Sequence, residues 1–265
     1  MAYDPVHQSQ LYLRRAGKLL RSYGVRTVPE VDHQRRRLEG ADRDRLFDTG
    51  YKQVGRLASE IEAYTGCTLE GRRALDFGCG MGRLAIPMAE RCTHVYGLEI
   101  SPELLHEADR NAQRMKVTNV DWLEADRLTE LSGCYDLAIS VFVFQHIPSR
   151  EGERIFAMIL EGLRPGGVGA IHVTLRPGYS LRRFLRGKNG AGSRKFNPIS
   201  LIRRLDWSYV YMLANSYSLN RLGVLLADAG VTKWQVNSSF APASTRRSYE
   251  AVTIFFRKGE ESPAT

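Results

Sequence analysis

The sequence predicts an α/β fold with a doubly wound, mostly parallel sheet, and three observations support this prediction. Short apolar segments alternate with helical segments from Arg72 onward. A glycine-rich turn separates the first of these strands from the helix that follows. The segment Tyr135–Val141 is apolar enough to be a strand buried on both faces. Such alternation is typical of parallel strands joined by right-handed crossovers, and ligands of these sheets bind outside the carboxyl ends of the strands.

Composition limits the classes of protein to which the chain can belong. Its 265 residues are 43% hydrophobic and 25% charged, which suits one globular domain with embellishments. No apolar run approaches the roughly 20 residues that span a bilayer, and the N-terminus lacks the apolar core of a signal peptide. The four cysteines show no C-x-x-C spacing, so we expect reduced thiols, no metal site and a cytoplasmic protein. The net charge of +9 favours anionic partners without identifying them.

Residues 1–71 are predicted to form an N-terminal helical extension. Apolar residues recur at helical spacing between Tyr12 and Tyr23, with basic residues between them. This helix either lies on a membrane surface or docks on the domain, and the second interpretation is favoured. The basic run Arg35–Arg37 is either a solvated face or a site for a substrate anion. A helix from about Asp44 to Tyr64 then leads into the first strand.

The remaining elements follow in order. The predicted strands are Arg73–Phe77, His94–Ile100, Asn119–Leu123, Tyr135–Val141 and Val168–Val173. After the second strand, Ser101 is the expected N-cap of a helix and Pro102 occupies its first position. A helix over Arg150–Leu163 is predicted to end at the turn Arg164–Gly167 before the fifth strand.

The glycine turn after the first strand allows two ligands, a dinucleotide pyrophosphate or S-adenosylmethionine (SAM). Gly78, Gly80 and Gly82 let a ligand approach the backbone, but the third glycine comes one residue earlier than in the dinucleotide fingerprint. Asp76 decides between the two ligands. A carboxylate repels a pyrophosphate, whereas it attracts the α-ammonium and sulfonium cations of SAM. The sequence therefore favours SAM.

Acidic residues also follow the next two strands. Glu99 closes the second strand, where an acid accepts hydrogen bonds from both ribose hydroxyls, and Ile100 offers the adenine an apolar surface. After the third strand, Asp126 can accept a hydrogen bond from the adenine amino group, and Arg127 lies beside it. Single surface acids are common, but three at successive strand ends indicate a cofactor site.

The motif D-x-G-x-G-x-G at Asp76–Gly82 closely resembles the cofactor turn of the class I methyltransferases. The resemblance covers about Arg72–Val173 and the tail of the chain. It implies a seven-stranded sheet, in which Leu222–Gly230 is the last helix before a sixth strand, Val231–Val236. A seventh strand, Ala251–Phe256, would insert antiparallel between the fifth and sixth. It also implies SAM as cofactor and S-adenosylhomocysteine (SAH) as product.

The cofactor-binding residues follow from this motif and its context. The candidates are Asp76, Gly78, Cys79, Gly80, Gly82, Glu99, Ile100, Asp126, Arg127, Ser140 and Tyr51. Tyr51 and its neighbour Gln53 are included among the candidates because, in related folds, the segment that leads into the first strand often contacts the methionine end of the cofactor.

The catalytic candidate is His146, in the loop Ser140–Pro148 after the fourth strand. Methyl transfer is an in-line displacement, and an oxygen acceptor must also lose a proton, for which histidine has a suitable pKa. The alternative is that His146 only packs or holds the loop. His172 is expected to be a core residue. The loop lacks the Asn/Asp-Pro-Pro-aromatic motif of relatives that methylate bases, and no Pro-Cys pair occurs, so nucleic-acid substrates are disfavoured.

The segment 174–217 is predicted to be an insertion of basic and aromatic residues between the fifth strand and the last helix, which opens the C-terminal part, residues 218–265. Three interpretations of this segment are open. It is a solvated loop beside a packed aromatic cluster, a lid that holds an anionic or apolar acceptor, or a surface that binds single-stranded RNA. We expect a methyltransferase acting on a small molecule, with oxygen favoured as the acceptor atom. An RNA or protein methyltransferase and a non-catalytic cofactor-binding module are the alternatives, and the oligomeric state is not predicted.

Overall fold

The computed structural model describes residues 41–176, 215–238 and 250–260. Seven strands form one sheet in the order β3-β2-β1-β4-β5-β7-β6. Their bounds are β1 Arg73–Phe77, β2 His94–Glu99, β3 Val120–Glu124, β4 Tyr135–Ser140, β5 Leu163–Arg176, β6 Val231–Asn237 and β7 Glu250–Lys258. The strands β3, β2, β1, β4 and β5 are parallel, and β7 pairs antiparallel with both β5 and β6. The predicted fold class, including the antiparallel seventh strand, is confirmed.

Five α-helices accompany these strands within the described ranges. They are α1 Ala41–Thr65, α2 Ala85–Ala89, α3 Pro102–Met115, α4 Ser149–Gly162 and α5 Leu219–Asp228. Ser101 is the N-cap of α3, as expected, and its side chain accepts a hydrogen bond from the backbone N–H of Leu104. No described helix is long and apolar enough to cross a membrane.

The largest difference from the prediction is the length of β5. The expected strand Val168–Val173 extends at both ends: its C-terminal end pairs with β7 through Arg176, and its N-terminal end pairs with β4 at Leu163. At its start, Leu163 pairs with Tyr135 and Val168 with Leu137, so the residues between them bulge from the ladder. The predicted turn Arg164–Gly167 is therefore present as a bulge inside the strand.

Each face of the sheet has its own apolar core. The face that we call the α1 face packs against α1, α2 and α3 and includes Ala74 of β1 and Ala170 of β5. The opposite face packs against α4 and α5 and includes Leu75 and Ile171. Since side chains alternate along a strand, Asp76 and His172 lie on the α1 face, two residues beyond Ala74 and Ala170. Covering both faces leaves the carboxyl ends of the parallel strands as the place for a ligand.

Several predictions fall outside the described residues. These are the helix between Tyr12 and Tyr23, the basic run Arg35–Arg37 and most of the insertion between β5 and α5.

Candidate functional site

The glycine turn between β1 and α2 has open space at one position. Gly78, Gly80 and Gly82 all have positive φ, at 80°, 58° and 88°. A Cβ on Gly78 would collide with Val143, and one on Gly82 would meet Ile86 and Trp122. At Gly80, nothing lies within 4 Å of the Cβ position. The backbone is therefore packed on both sides of Gly80 and accessible to a ligand at Gly80 itself.

The N–H groups of this turn already donate to protein oxygen atoms. Gly78 and Cys79 both donate to the carbonyl of Leu98, at 2.7 and 2.9 Å, and Gly82 donates to Cys79 at 3.0 Å. The N–H of Gly80 donates to Glu99 Oε2 at 3.1 Å. A pyrophosphate site needs such groups free to point at the ligand. The N–H groups of these four residues are therefore not free for a phosphate, which agrees with the preference for SAM inferred from Asp76.

Asp76 carries a buried carboxylate oxygen without a partner. The side chain is 1% exposed at the end of β1. Its carboxylate accepts from the backbone N–H of Ala85, the first residue of α2, while Oδ2 has no hydrogen-bond partner. Burial raises the pKa of Asp76 to about 7, and Glu99 adds to this effect while the charge of Arg83 opposes it. A buried, unpaired carboxylate oxygen is costly unless a donor or cation reaches it, so the site fits a cationic ligand.

Glu99 lies rigidly at the end of the neighbouring strand. Its Oε1 accepts from the N–H groups of Ile100 and Ser101, at 2.8 and 3.1 Å, and its Oε2 accepts from Gly80. Burial raises the pKa of Glu99, and these backbone hydrogen bonds oppose the rise. The carboxylate thus joins β2 to the glycine turn and keeps acceptor capacity for hydroxyl groups of a ligand.

Arg83 is a further candidate for the site, beyond those expected from the sequence. Its Nη1 donates to Gln53 Oε1 of α1 at 2.7 Å, and α1 packs so tightly that a Cβ on Gly50 would collide with the carbonyl of Arg83. Burial lowers the pKa of Arg83, and the charge of Asp76 opposes that effect. A guanidinium beside a carboxylate can bind both ends of a zwitterion. The signal in the sequence was a basic residue directly after the third glycine.

The Tyr51 hydroxyl forms its hydrogen bond at the C-terminal end of α2, whereas the glycine turn precedes that helix. This hydroxyl donates to Glu90, just beyond α2, and burial raises the pKa of Tyr51 to about 12. Gln53, the other candidate from the same helix, contacts Arg83 and thus lies closer to the turn.

The remaining cofactor candidates lie in different surroundings. The Cys79 side chain is buried, and a Cβ on Gly97 would lie 3.2 Å from its sulfur. The Ser140 hydroxyl donates to the carbonyl of Phe77 at 2.8 Å, which ties the end of β4 to that of β1. Ile100 packs against the core on the α4 side. Asp126 is half-buried in a 3₁₀ helix after β3, while Arg127 is exposed and forms an ion pair with Glu130 at 2.7 Å.

The loop after β4 is held from both sides. Val143 packs on Gly78 of the glycine turn. The Tyr217 hydroxyl lies 2.8 Å from the carbonyl of Phe144 and 2.7 Å from that of Ile147, and Asn215 donates to Gln145. These contacts fix the loop beside the turn. His146 ends a short 3₁₀ helix in this loop, where its exposed ring places Nε2 at 3.1 Å from Gln145 Nε2.

Comparison with known proteins shows where the similarity lies. Residues 74–167 match the family model of a methyltransferase domain. Magnesium-protoporphyrin O-methyltransferase from Synechocystis is 34% identical over 90 residues, which cover 34% of this chain and 39% of the relative. Ubiquinone biosynthesis O-methyltransferase from Burkholderia ambifaria is 37% identical over 102 residues, covering 37% and 43%. The chain therefore matches about two fifths of the length of these curated relatives.

Solved structures share the fold over a larger part of the chain. Magnesium protoporphyrin IX methyltransferase from Synechocystis, solved with bound SAH, has a TM-score of 0.55 and 19% identity over 87% of this chain and 95% of its own. A putative sarcosine dimethylglycine methyltransferase from Galdieria sulphuraria has a TM-score of 0.54 and 17% identity, over 79% and 86%. Sheet order and glycine turn define a class I methyltransferase fold. Residues 74–167 thus match a methyltransferase domain, and the fold of the chain is that of the class I SAM-dependent methyltransferases.

Proposed function

We propose that this protein binds SAM and transfers its methyl group to a small molecule, with oxygen as the favoured acceptor atom. The observation that carries the proposal is the unpartnered Oδ2 of Asp76, buried at a glycine turn whose own N–H groups are in use. The carboxylate attracts a cation, and the N–H groups of Gly78, Cys79, Gly80 and Gly82 already donate to protein oxygen atoms and are not free for a phosphate. The similarity to named O-methyltransferases supports oxygen as the acceptor atom.

The described residues match the parts of SAM one by one. Asp76 takes the α-ammonium, and Arg83, positioned by Gln53, takes the methionine carboxylate. The open face of Gly80 admits the ligand to the backbone.

The nucleoside half of SAM lies at the ends of the next two strands. Glu99 accepts from the ribose hydroxyls, because three backbone N–H groups hold its carboxylate in place. Ile100 and Asp126 are assigned to the adenine. Tyr51 and Arg127 receive no role, because each side chain is engaged elsewhere.

Catalysis requires the acceptor to be aligned and to lose a proton. Bound SAM would supply a methyl group attached to a sulfonium. When the methyl group is transferred, the sulfur becomes the neutral thioether of SAH. The chain aligns the acceptor through the loop after β4, which Val143 and Tyr217 hold against neighbouring elements. In this proposal His146 accepts the proton of the acceptor hydroxyl at a ring nitrogen.

Replacing His146 by alanine should slow methyl transfer by about a hundredfold if it is the base, since general-base catalysis contributes about 10²–10⁴-fold. Binding of SAH should stay unchanged, because the site of Asp76 and Glu99 is untouched. Steady-state rates and calorimetry measure the two effects. His106→Ala is the matched control, since His106 is an exposed histidine on α3. An unchanged rate in His146→Ala would leave the residue with a packing role only.

SAM affinity should fall as the pH is lowered below about 7. Burial raises the pKa of Asp76 from 3.8 to about 7, with Arg83 and Glu99 as the charged groups that modify it. The carboxyl is therefore protonated below about pH 7 in the cofactor-free protein, and a cation binds the ionised form. Each unit below the pKa should weaken binding by up to about tenfold. Calorimetry across this range measures the slope, which should flatten in Asp76→Asn. A slope that persists in this variant would assign the proton to another group.

The same pKa shift predicts the opposite trend for folding. Between about pH 4 and 7 the folded protein holds a proton on Asp76 that the unfolded chain has released. The contribution of this carboxyl to stability is therefore present below its ordinary pKa and is lost as the pH rises through about 7.

A direct test of the activity uses SAM labelled in its methyl group. We expect label to pass to a small hydroxylated acceptor, with SAH as the second product. An RNA methyltransferase would instead label RNA, and its RNA binding would weaken steeply with added salt. A non-catalytic module would bind SAM and SAH without labelling any acceptor. Failure of both ligands to bind would contradict the proposal as a whole.

A further inference from the structure

Phe142 has an unusual backbone conformation beside the proposed cofactor site. It follows β4 by two residues and has a φ of 61°, in the left-handed region that bulky residues avoid. Its ring centroid lies 4.6 Å from that of His172, with the planes at 60°. Strained conformations of this kind persist where the surrounding structure holds them, and they concentrate at functional sites. The strain here places an aromatic ring against an imidazole.

His172 is a buried polar residue without a hydrogen-bond partner. It is 1% exposed in β5, and neither Nδ1 nor Nε2 has a partner. Thr253 lies opposite it in register on β7, yet the imidazole forms no hydrogen bond there. Burial lowers the pKa of His172 to about 4, so the ring is neutral at physiological pH. Since buried polar groups are normally paired, this one requires an explanation.

The position of His172 relates it to the proposed site. Ile171 pairs with Ser140, the last residue of β4, so His172 lies one residue beyond, at the carboxyl edge. It faces the α1 face, as Asp76 does. The strands β1, β4 and β5 are consecutive neighbours, which separates β1 from β5 by about 10 Å. In the described part of the sheet, Asp76 and His172 are the residues with unpartnered buried side-chain atoms.

We propose that His172 and Phe142 form the end of the methyl-acceptor site and bind a hydroxyl group carried on an aromatic ring. This inference rests on the proposed function and specifies its substrate class. A neutral imidazole has one N–H donor and one acceptor nitrogen, and a hydroxyl, itself both donor and acceptor, can pair with whichever of the two faces the ligand. A carboxylate or phosphate only accepts, so it can pair with the N–H alone and is repelled by the lone pair of the other nitrogen. Phe142 offers the ring of the acceptor an aromatic surface. His172 would thus serve in binding, and the expectation that it is only a core residue would be wrong.

The first experiment compares two probes on the wild-type protein saturated with SAH. Ligand-observed NMR titrations are run with catechol, which carries ring hydroxyls, and with benzoate, which carries a carboxylate. We expect catechol to bind about tenfold more tightly, the effect of roughly one hydrogen bond. Equal affinities, tighter binding of benzoate, or no binding of catechol would overturn the inference. Failure of SAH itself to bind would instead contradict the proposed function, so the two failures are distinguishable.

The second experiment substitutes the imidazole. His172→Phe preserves an aromatic ring and removes both polar atoms, whereas His172→Gln keeps a donor and an acceptor. We expect His172→Phe to lose about tenfold in catechol affinity and His172→Gln to retain most of it, with SAH affinity unchanged in both. The SAH titration also reports whether each variant is folded. Catechol binding to His172→Phe at the wild-type level, with SAH bound normally, would contradict a contact with His172.

Discussion

Asp76→Asn is expected to weaken SAM and SAH binding by about 100-fold, which corresponds to about 2.7 kcal/mol. The substitution keeps an oxygen that can accept from Ala85, so the start of α2 stays capped. It replaces the unpartnered carboxylate oxygen by an amide N–H₂ group, which repels the α-ammonium of the ligand. Removing one partner of a buried charge pair has effects of this size or larger. Isothermal titration calorimetry with both ligands measures the loss.

The matched control for this variant is Asp121→Asn. Asp121 also lies in the sheet, on β3, but its side chain is 56% exposed and pairs with His94. An exposed pair contributes little, so this variant should bind SAH as the wild type does. If Asp76→Asn and the wild type bind SAM and SAH with nearly equal affinity, the charge of Asp76 does not hold the cofactor, and the cofactor assignment loses its basis.

Gly80→Ala is expected to weaken cofactor binding by up to about 100-fold, without unfolding the protein. The Cβ of alanine at this position meets no protein atom within 4 Å, so it would project into the space assigned to the ligand. Filling a tightly fitted contact by one methyl group costs about 1–3 kcal/mol. The φ of 58° adds about 1–2 kcal/mol of strain to the folded state. Thermal unfolding and SAH titration separate the two effects.

Gly133→Ala controls for the strain. Gly133 has a φ of 66° and equally open space at its Cβ, but it precedes β4 at the opposite edge of the sheet. Both variants should lose similar stability, whereas only Gly80→Ala should lose SAH. If the two variants bind SAH equally well, the ligand does not approach the backbone at Gly80.

Most of the sheet was predictable because buried parallel strands have a strong local signal. β1 was predicted with its observed bounds, and β4 within one residue, since apolar runs between glycines and charged turns leave few alternatives. The C-terminal extension of β5 was not predictable, because it depends on pairing with β7, more than 70 residues later in the chain. Non-local pairing of this kind leaves little trace in local composition.

The candidate site was predictable where the backbone motif carries the chemistry. The turn around Gly80 and the acids Asp76 and Glu99 lie together at adjacent strand ends. The contribution of α1 was harder to predict, because a helix presents different residues to its neighbours with each small rotation. Tyr51 was selected and points to Glu90, while the neighbouring Gln53 contacts Arg83. The unpartnered state of His172 is a tertiary property that no sequence pattern reveals.

The carboxylate of Asp76 and the open face of Gly80 make the glycine turn a site for a cation-bearing nucleoside. Calorimetric titration of the protein with SAM and, separately, with NAD tests this assignment most directly, because both ligands carry an adenosine and differ in charge at the turn. SAM is expected to bind with an affinity that Asp76→Asn destroys, and NAD is expected to show no measurable heat. Tight binding of NAD, with SAM failing to compete, would contradict the account.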